Sequence, residues 1–527
     1  MTISFCRSFA FRPLLGAAVL AMSLAQSGHA QTQEIPDMAQ IEQAWQQGDF
    51  VAVRTGLKQL AEGANDPVAH YRYGRVLAEG RGGPRDLDGA VMWLEKAVAQ
   101  NHAPAATLLA RLLLSSKSRR DPAGAARLFT SAATRGDTEA QYYLGLLYQS
   151  GNGVPQDTTA AFDWFLASSE GQNVQAQWEL SKAYVNGSGT AQNMGKAVRW
   201  MQEAAANGQA DAQYFLGVAY DQGTAIAPNQ SQAVAWYRRA SEGGQVQAQR
   251  TLGTIYLNGS HDQPPNAQEA QRWLNAAADA GDVVASYRLG VGYASGDVLP
   301  QDLPKARVLF EGGALENYPP SSFALGQLYE HGRGVPVDLE AAVARYVTAA
   351  SQGFKPAALH LGALTSSGAL DSVVAPQTAT AWALIDLRET QNPAARDWLQ
   401  DRADAGVRQA QAGLGAWLVD QDGMANAGFE LVEKAAIAGD VPSQFQLGSM
   451  LTTGTGAALD YVAAHAWLNI AAASGHEDAA ATRGLINDLM TPDQVAAAQT
   501  IARVYFDGAH ARAPQTQQIV TTTEADQ

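Results

Sequence analysis

The dipeptide Leu-Gly returns on a fixed beat. Leu144-Gly145, Leu216-Gly217, Leu252-Gly253, Leu289-Gly290, Leu325-Gly326 and Leu361-Gly362 fall on a period of 36 residues, stretched to 37 between Gly253 and Gly290. Tyr73-Gly74, Leu109-Ala110 and Leu180-Ser181 carry the ladder toward the N-terminus in phase, and Leu414-Gly415 and Leu447-Gly448 resume it later. A repeat of this length is one supersecondary unit that cannot bury its apolar face alone, so the chain must fold as a stack whose neighbours share a core. In such a stack function is read from a surface.

One unit runs from Thr138 to Gln172, with helix A expected over about Glu139 to Gln149 and helix B over about Thr158 to Ser169. Gly151 stands where the first helix must end, and Asp157 follows six residues later at a helix N-cap position. The same offset links Gly80 to Asp86, Gly187 to Asn193, Gly223 to Asn229, Gly296 to Asp302 and Gly332 to Asp338. Only Asp or Asn occupies the second place, as capping free backbone N–H groups requires. A large ring follows 19 or 20 residues after each ladder position: Trp93, Phe129, Trp164, Trp200, Trp236, Trp273, Phe310, Tyr346 and Trp382. Each is expected to wedge helix B against its neighbours. Tyr148, Tyr184, Tyr220, Tyr256, Tyr293 and Tyr329 lie three residues after the ladder position, one turn along helix A. Glycine in mid-helix costs about 1 kcal/mol in propensity, so its recurrence implies a helix approaching too closely for a Cβ.

These residues together carry a resemblance. The pattern A-x-Y-x-L-G-x-x-Y-x-x-G-x-G-V-x-x-D followed by A-x-x-W-x-x-x-A-A-x-x-G resembles the Sel1-like repeat family over roughly residues 66 to 507, with Ala140 to Gly153 and Ala324 to Asp338 nearly consensus. Leu109-Ala110 and Leu180-Ser181 depart from it by replacing the glycine. The resemblance implies an all-α fold, a right-handed α-solenoid whose concave face binds partner proteins, often in bacterial envelope signalling, assembly or host contact.

The beat is broken once: Gly362 to Gly415 spans 53 residues, one repeat and 17 more, and Trp398 stands 17 before Gly415 as Trp200 does before Gly217. An inserted helix is expected over Thr378 to Thr390, reached by the loop Ser366 to Pro376 and closed near Pro393. In the shortened unit that follows, Leu431 takes the ring position. Thr491-Pro492-Asp493-Gln494 reads as a capping box opening a last helix. The expected organisation is a signal peptide (1–30), an N-terminal helical cap (31–65), a first repeat array (66–376), the insert with an irregular repeat (377–406), a second array (407–490), a C-terminal capping helix (491–508) and a disordered tail (509–527).

Residues 1 to 30 have the layout of a secretory leader, with Arg7 and Arg12 before an apolar stretch from Leu14 to Leu24 and Gly28-His29-Ala30 at the cleavage point. Cleavage after Ala30 would leave a periplasmic or secreted chain beginning at Gln31, without a spanning segment. It would also remove Cys6, the single cysteine, leaving neither disulfide nor thiol chemistry. The formal charge of −15 becomes about −17 when the two leader arginines go. So acidic a chain is repelled by nucleic acid and anionic membranes but attracts a basic protein segment.

A search for chemistry finds no HExxH motif, no close His pair on one helix face and no GxSxG elbow. Gly189 to Ala197 has glycines one residue too far apart for a phosphate loop and lacks the hydroxyl that would ligand magnesium. His102 and His476 occupy inter-repeat turns. No catalytic residue, cofactor or metal is expected. What varies inside the regular frame is the face of helix A, two places before the ladder position: Arg72, Tyr143, Glu179, Phe215, Arg288 and His360. With Arg75, Arg111, Lys182, Asp221 and Gln327 on neighbouring turns, these are the candidate partner-binding residues. Binding of protein partners is the leading expectation, and a glycan-binding scaffold for exopolysaccharide or peptidoglycan the alternative.

Overall fold

The computed structural model describes residues 37–260 and 264–510. The expected leader with Cys6, and most of the expected tail, lie outside these residues. The described residues form 27 helices and no strand, an all-α solenoid of helix-turn-helix repeats. Most helices are only 13 residues long, which is marginal in isolation, so packing has to hold them. By contact the chain divides into two compact units, one ending at Ala204 and one beginning at Ala205. In the first, buried clusters pass from Ile41–Trp93 through Leu94–Leu109 and Ala106–Leu147 to Ala161–Ala197. In the second they run from Ala233 to Leu328 and on through 342–370, 379–431 and 432–486.

The repeat Thr138–Ser150 (helix A) and Thr158–Glu170 (helix B) shows the local logic. Helix A ends on Gly151 at φ +70, a left-handed conformation that glycine adopts without steric cost. Asp157 then accepts hydrogen bonds from the N–H groups of Thr159 and Ala160 at 3.0 Å. Asp86, Asn193, Asn229, Asp302 and Asp338 cap their helices in the same way, at 2.8–3.0 Å. The tyrosine one turn beyond the ladder position has a second duty: its carbonyl accepts from the capping residue's N–H, as in Asp157 to Tyr148 at 2.9 Å.

The ladder glycines sit where two helices touch. A Cβ on Gly145 would lie 2.6 Å from the Phe165 ring, on Gly217 2.7 Å from Tyr237, on Gly290 2.6 Å from Phe310 and on Gly326 2.5 Å from Tyr346. This corrects the ring series read from the sequence, which merges two neighbouring positions. The residue opposing the glycine is Leu94, Phe165, Tyr237 and Leu274 in units where the tryptophan stands one residue earlier. Trp164, Trp200, Trp236 and Trp382 are only half-buried, whereas Phe129, Trp273, Phe310 and Tyr346 belong to the core.

At the irregular stretch the extra helix is Pro376–Thr390, between Lys355–Ser366 and Pro393–Asp404. It takes the place of helix B against Gly362, whose Cβ would lie 2.7 Å from the Trp382 carbonyl oxygen. The insertion brings a buried carboxylate, Asp386, which accepts from Ser366 Oγ (3.1 Å), Thr390 Oγ1 (2.9 Å) and Asn392 Nδ2 (2.7 Å). In the shortened pair Arg408–Val419 and Ala425–Ile437, Gly415 and Gly428 face each other, and a Cβ on Gly428 would lie 2.8 Å from the Gly415 carbonyl oxygen. The final helix, Pro492–His510, opens on a reciprocal cap in which Thr491 N–H donates to Gln494 Oε1 (2.8 Å) and Gln494 N–H to Thr491 Oγ1 (3.3 Å).

A candidate binding cleft on the helix A face

Three successive helices A of the first unit, Pro67–Glu79, Ala103–Ser115 and Thr138–Ser150, wall a cleft of about 810 Å³. The ladder dictates this arrangement. Leu109, Leu144 and the neighbouring small residues face inward, so residues one or two places along each helix A, turned by about 100–200°, face out together. Arg75, Arg111 and Tyr143 all line the cleft, and Arg72 borders an adjoining hollow that shares Tyr71 and Arg75 with it. Tyr143 is held by a stacked contact with Phe129, 5.3 Å between centroids at 15°. Arg111 Nη1 donates to Glu139 Oε1 at 2.8 Å across two repeats, and its guanidinium lies 5.5 Å from the Tyr143 ring. Arg75 Nε donates to Glu79 Oε1 at 2.7 Å. Burial pushes the Glu79 carboxyl upward, but the hydrogen bond and charge of Arg75, with Arg81, hold it below the ordinary carboxylate range.

The other residues singled out in the sequence lie apart from this cleft. Glu179 and Lys182 pair with each other at 2.8 Å. Phe215 is 44% exposed, edge-on to Tyr214. Asp221 and Arg288 line a separate hollow of about 330 Å³ in the second unit, beside the Arg250–Asp282 ion pair. Gln327 is exposed on its helix. His360 is committed to a polar cluster, its Nε2 2.7 Å from Glu330 Oε2, which also accepts from the Tyr346 hydroxyl. Burial works to raise the Glu330 carboxyl, yet the hydrogen bonds from Tyr346 and His360 hold it below its ordinary value, while the Tyr346 hydroxyl is driven up.

The cleft also contains Tyr71, Arg85, Leu108 and Glu139, which sequence reasoning passed over. Arg85 lies in an inter-helix turn rather than on helix A, so its approach to the cleft depends on how the turn folds back, with Nε donating to the Ala78 carbonyl at 2.8 Å. His102 does serve a turn: its Nδ1 accepts from Ala105 N–H at 3.2 Å, and burial lowers its pKa. Among the described residues no group of three or more His, Cys, Asp or Glu side chains could hold a metal ion. Nor is any described helix long and apolar enough to cross a membrane.

Comparison with known proteins places this geometry. The Sel1 repeat model matches residues 67–102, 103–137, 138–173, 174–209, 210–245, 246–282, 283–317, 319–354 and 441–476. The crystal structure of c5321, a protective antigen of uropathogenic Escherichia coli with an SLR fold, is 25% identical, with a TM-score of 0.58 over 90% of this chain and 99% of that one. A Sel1 repeat protein from Oxalobacter formigenes is 29% identical, with a TM-score of 0.44 over 46% of this chain and all of that one. No curated protein matches the sequence. With nine matched repeats over more than half its length, the chain belongs to the Sel1 repeat family.

Proposed function

We propose that the chain is a non-catalytic adaptor, exported from the cytoplasm, that binds a protein partner in the cleft walled by Pro67–Glu79, Ala103–Ser115 and Thr138–Ser150. The observation carrying this reading is the convergence of Arg75, Arg111 and Tyr143, from three different repeats, on one 810 Å³ cleft. Aromatic and arginine side chains around an apolar floor are what protein recognition uses, since they combine large contact area with several donors. Repeat scaffolds present such residues on one face of successive helices, and Sel1 repeat proteins bind proteins generally. The leader-like segment 1–30 supports export, and the similar E. coli protein is a protective antigen, which accords with it. A role in envelope signalling or assembly is what the family resemblance implies for a chain at that address.

Affinity capture from envelope extract tests the reading, with Tyr143→Ala and Arg111→Ala compared with the unaltered chain. Reproducible enrichment of a protein that each substitution weakens about tenfold or more is expected, the usual effect of truncating a central contact residue (~1.4 kcal/mol or more). Enrichment indifferent to both substitutions contradicts it. N-terminal sequencing of the exported chain should give Gln31 as the first residue.

A further inference from the structure

Three hollows of the first unit adjoin through shared lining residues, the third of them reaching the inter-helix turn and Leu87 and Val91 of helix Leu87–Ala99. The cleft shares Tyr71 and Arg75 with a hollow of about 370 Å³ that reaches Glu42 and Arg72. It shares Arg85, Leu112 and Ser115 with another of about 250 Å³ that reaches Lys117 and Arg119. The joined trough is lined by six cations, Arg72, Arg75, Arg85, Arg111, Lys117 and Arg119, against three carboxylates, Glu42, Glu79 and Glu139. Residues 67–120 hold nine Lys and Arg but four Asp and Glu, in a chain whose formal charge is −15. The acidity of the whole therefore hides a local reversal of sign at a place where three repeats open a cleft.

The cations differ in how far they are satisfied. Arg72, Arg75 and Arg111 each touch a lining carboxylate through one nitrogen, at 3.3, 2.7 and 2.8 Å. Arg119 pairs with Asp88. Arg85 and Lys117 are exposed and have no carboxylate partner among the described residues. Half-exposed pairs such as Arg111–Glu139 are worth only about 0–1 kcal/mol, so an incoming carboxylate can displace them at little cost. Beside the cations the lining is apolar, with Leu108, Leu112 and Leu114.

We infer that the trough takes an acidic segment of the partner, with Asp or Glu side chains on the cations and apolar side chains on the leucine lining. This deepens the adaptor reading and rests on it. Arginine clusters recognise acidic motifs through forked, charge-assisted hydrogen bonds, and steering by unpaired cations raises the association rate. Three helices spaced about 10 Å apart span roughly 20–30 Å, the reach of roughly 6–9 extended residues. A polyphosphate or nucleic acid fits less well, because Glu42, Glu79 and Glu139 would repel its backbone, whereas a peptide brings amide N–H groups that can satisfy them.

Fluorescence anisotropy on the whole chain provides the test. The probes are two labelled pools of nine-residue peptides in which randomised apolar residues alternate with Asp/Glu in one pool and with Lys in the other. The acidic pool should bind at least tenfold more tightly than the basic one and weaken severalfold between 50 and 300 mM salt. It should lose tenfold or more with Arg85→Glu plus Lys117→Glu, and severalfold with Lys117→Glu alone, which, unlike Arg85→Glu, removes no hydrogen bond to a helix end. Equal affinity for both pools, or binding indifferent to the double reversal, overturns the inference. So does tighter binding of inorganic polyphosphate of matched charge. Capture from envelope extract separates the two failures. A partner lost with Tyr143→Ala but kept with the double reversal refutes the acidic segment and leaves the adaptor standing, and a partner kept by both refutes both.

Discussion

Gly145 and Phe165 show how narrowly a single residue is specified. A methyl group at 145 would lie 2.6 Å from the Phe165 ring, which is fully enclosed and cannot swing away. Gly145→Ala should therefore destabilise by about 1–3 kcal/mol despite its better helix propensity. Pairing it with Phe165→Leu should return part of the loss, and denaturant midpoints of the two single variants and the double variant measure the coupling. If Gly145→Ala raises the midpoint, the close-approach account of the ladder fails. Glu330 offers a pH test of the same kind. Its carboxyl is held below the ordinary value by Tyr346 and His360, so its contribution is complete above the unfolded pKa of about 4.3. That contribution disappears as pH falls through the lower, folded value. Glu330→Gln should thus lower the melting temperature at pH 7, by a margin that narrows as pH falls below about 4. A gap between the two proteins that stays constant across that range would refute this.

At the scale of the helix pair, the structure contains a device that the ladder conceals. Four residues before the ladder glycine, the side-chain amides of Gln141, Gln213, Gln249, Gln411 and Gln444 donate to a carbonyl at the end of the preceding helix B, at 2.9–3.2 Å. Each of these carbonyls also accepts from the backbone N–H three residues on, as Ala403 does from Gly406 at 3.0 Å, and the glutamine adds a second bond that stitches one repeat to the next. Gln411→Met keeps the volume and removes this second bond, leaving the Ala403 carbonyl with the Gly406 N–H alone. It should cost about 0.5–1.5 kcal/mol, the net worth of one hydrogen bond. A chemical denaturation midpoint equal to that of the parent would show the stitch to be idle. The helices and their caps were legible because period, glycine and Asp or Asn position are local properties of the chain. The distinction between Trp164 and Phe165 was not, since a spacing of 19 or 20 residues is uncertain by a single place and one place turns a helical side chain by 100°. The glutamine stitches were illegible for a different reason: a polar residue at a nearly buried position looks like surface until its acceptor is seen.

Over the molecule as a whole, the candidate face was legible in part. Arg72, Arg75, Arg111 and Tyr143 come together because their repeats are consecutive, while Asp221 and Arg288 line a hollow of the second unit. His360 had the right position and a different fate, for Glu330 lies within hydrogen-bond reach of it on the preceding helix A. The mean charge points to a basic partner segment and the proposed trough to an acidic one, because acidic residues elsewhere outweigh the basic stretch 67–120. The central claim is that binding resides in the cleft between helices A and not on the outward side of helices B. Site-specific photo-crosslinking in the native envelope tests it most directly, with p-benzoylphenylalanine placed at Leu108 in the cleft lining or at the exposed Met92 on helix Leu87–Ala99. A discrete protein adduct from position 108 and none from position 92 is the predicted result; an adduct from 92 alone, or the same adduct from both, would contradict the account.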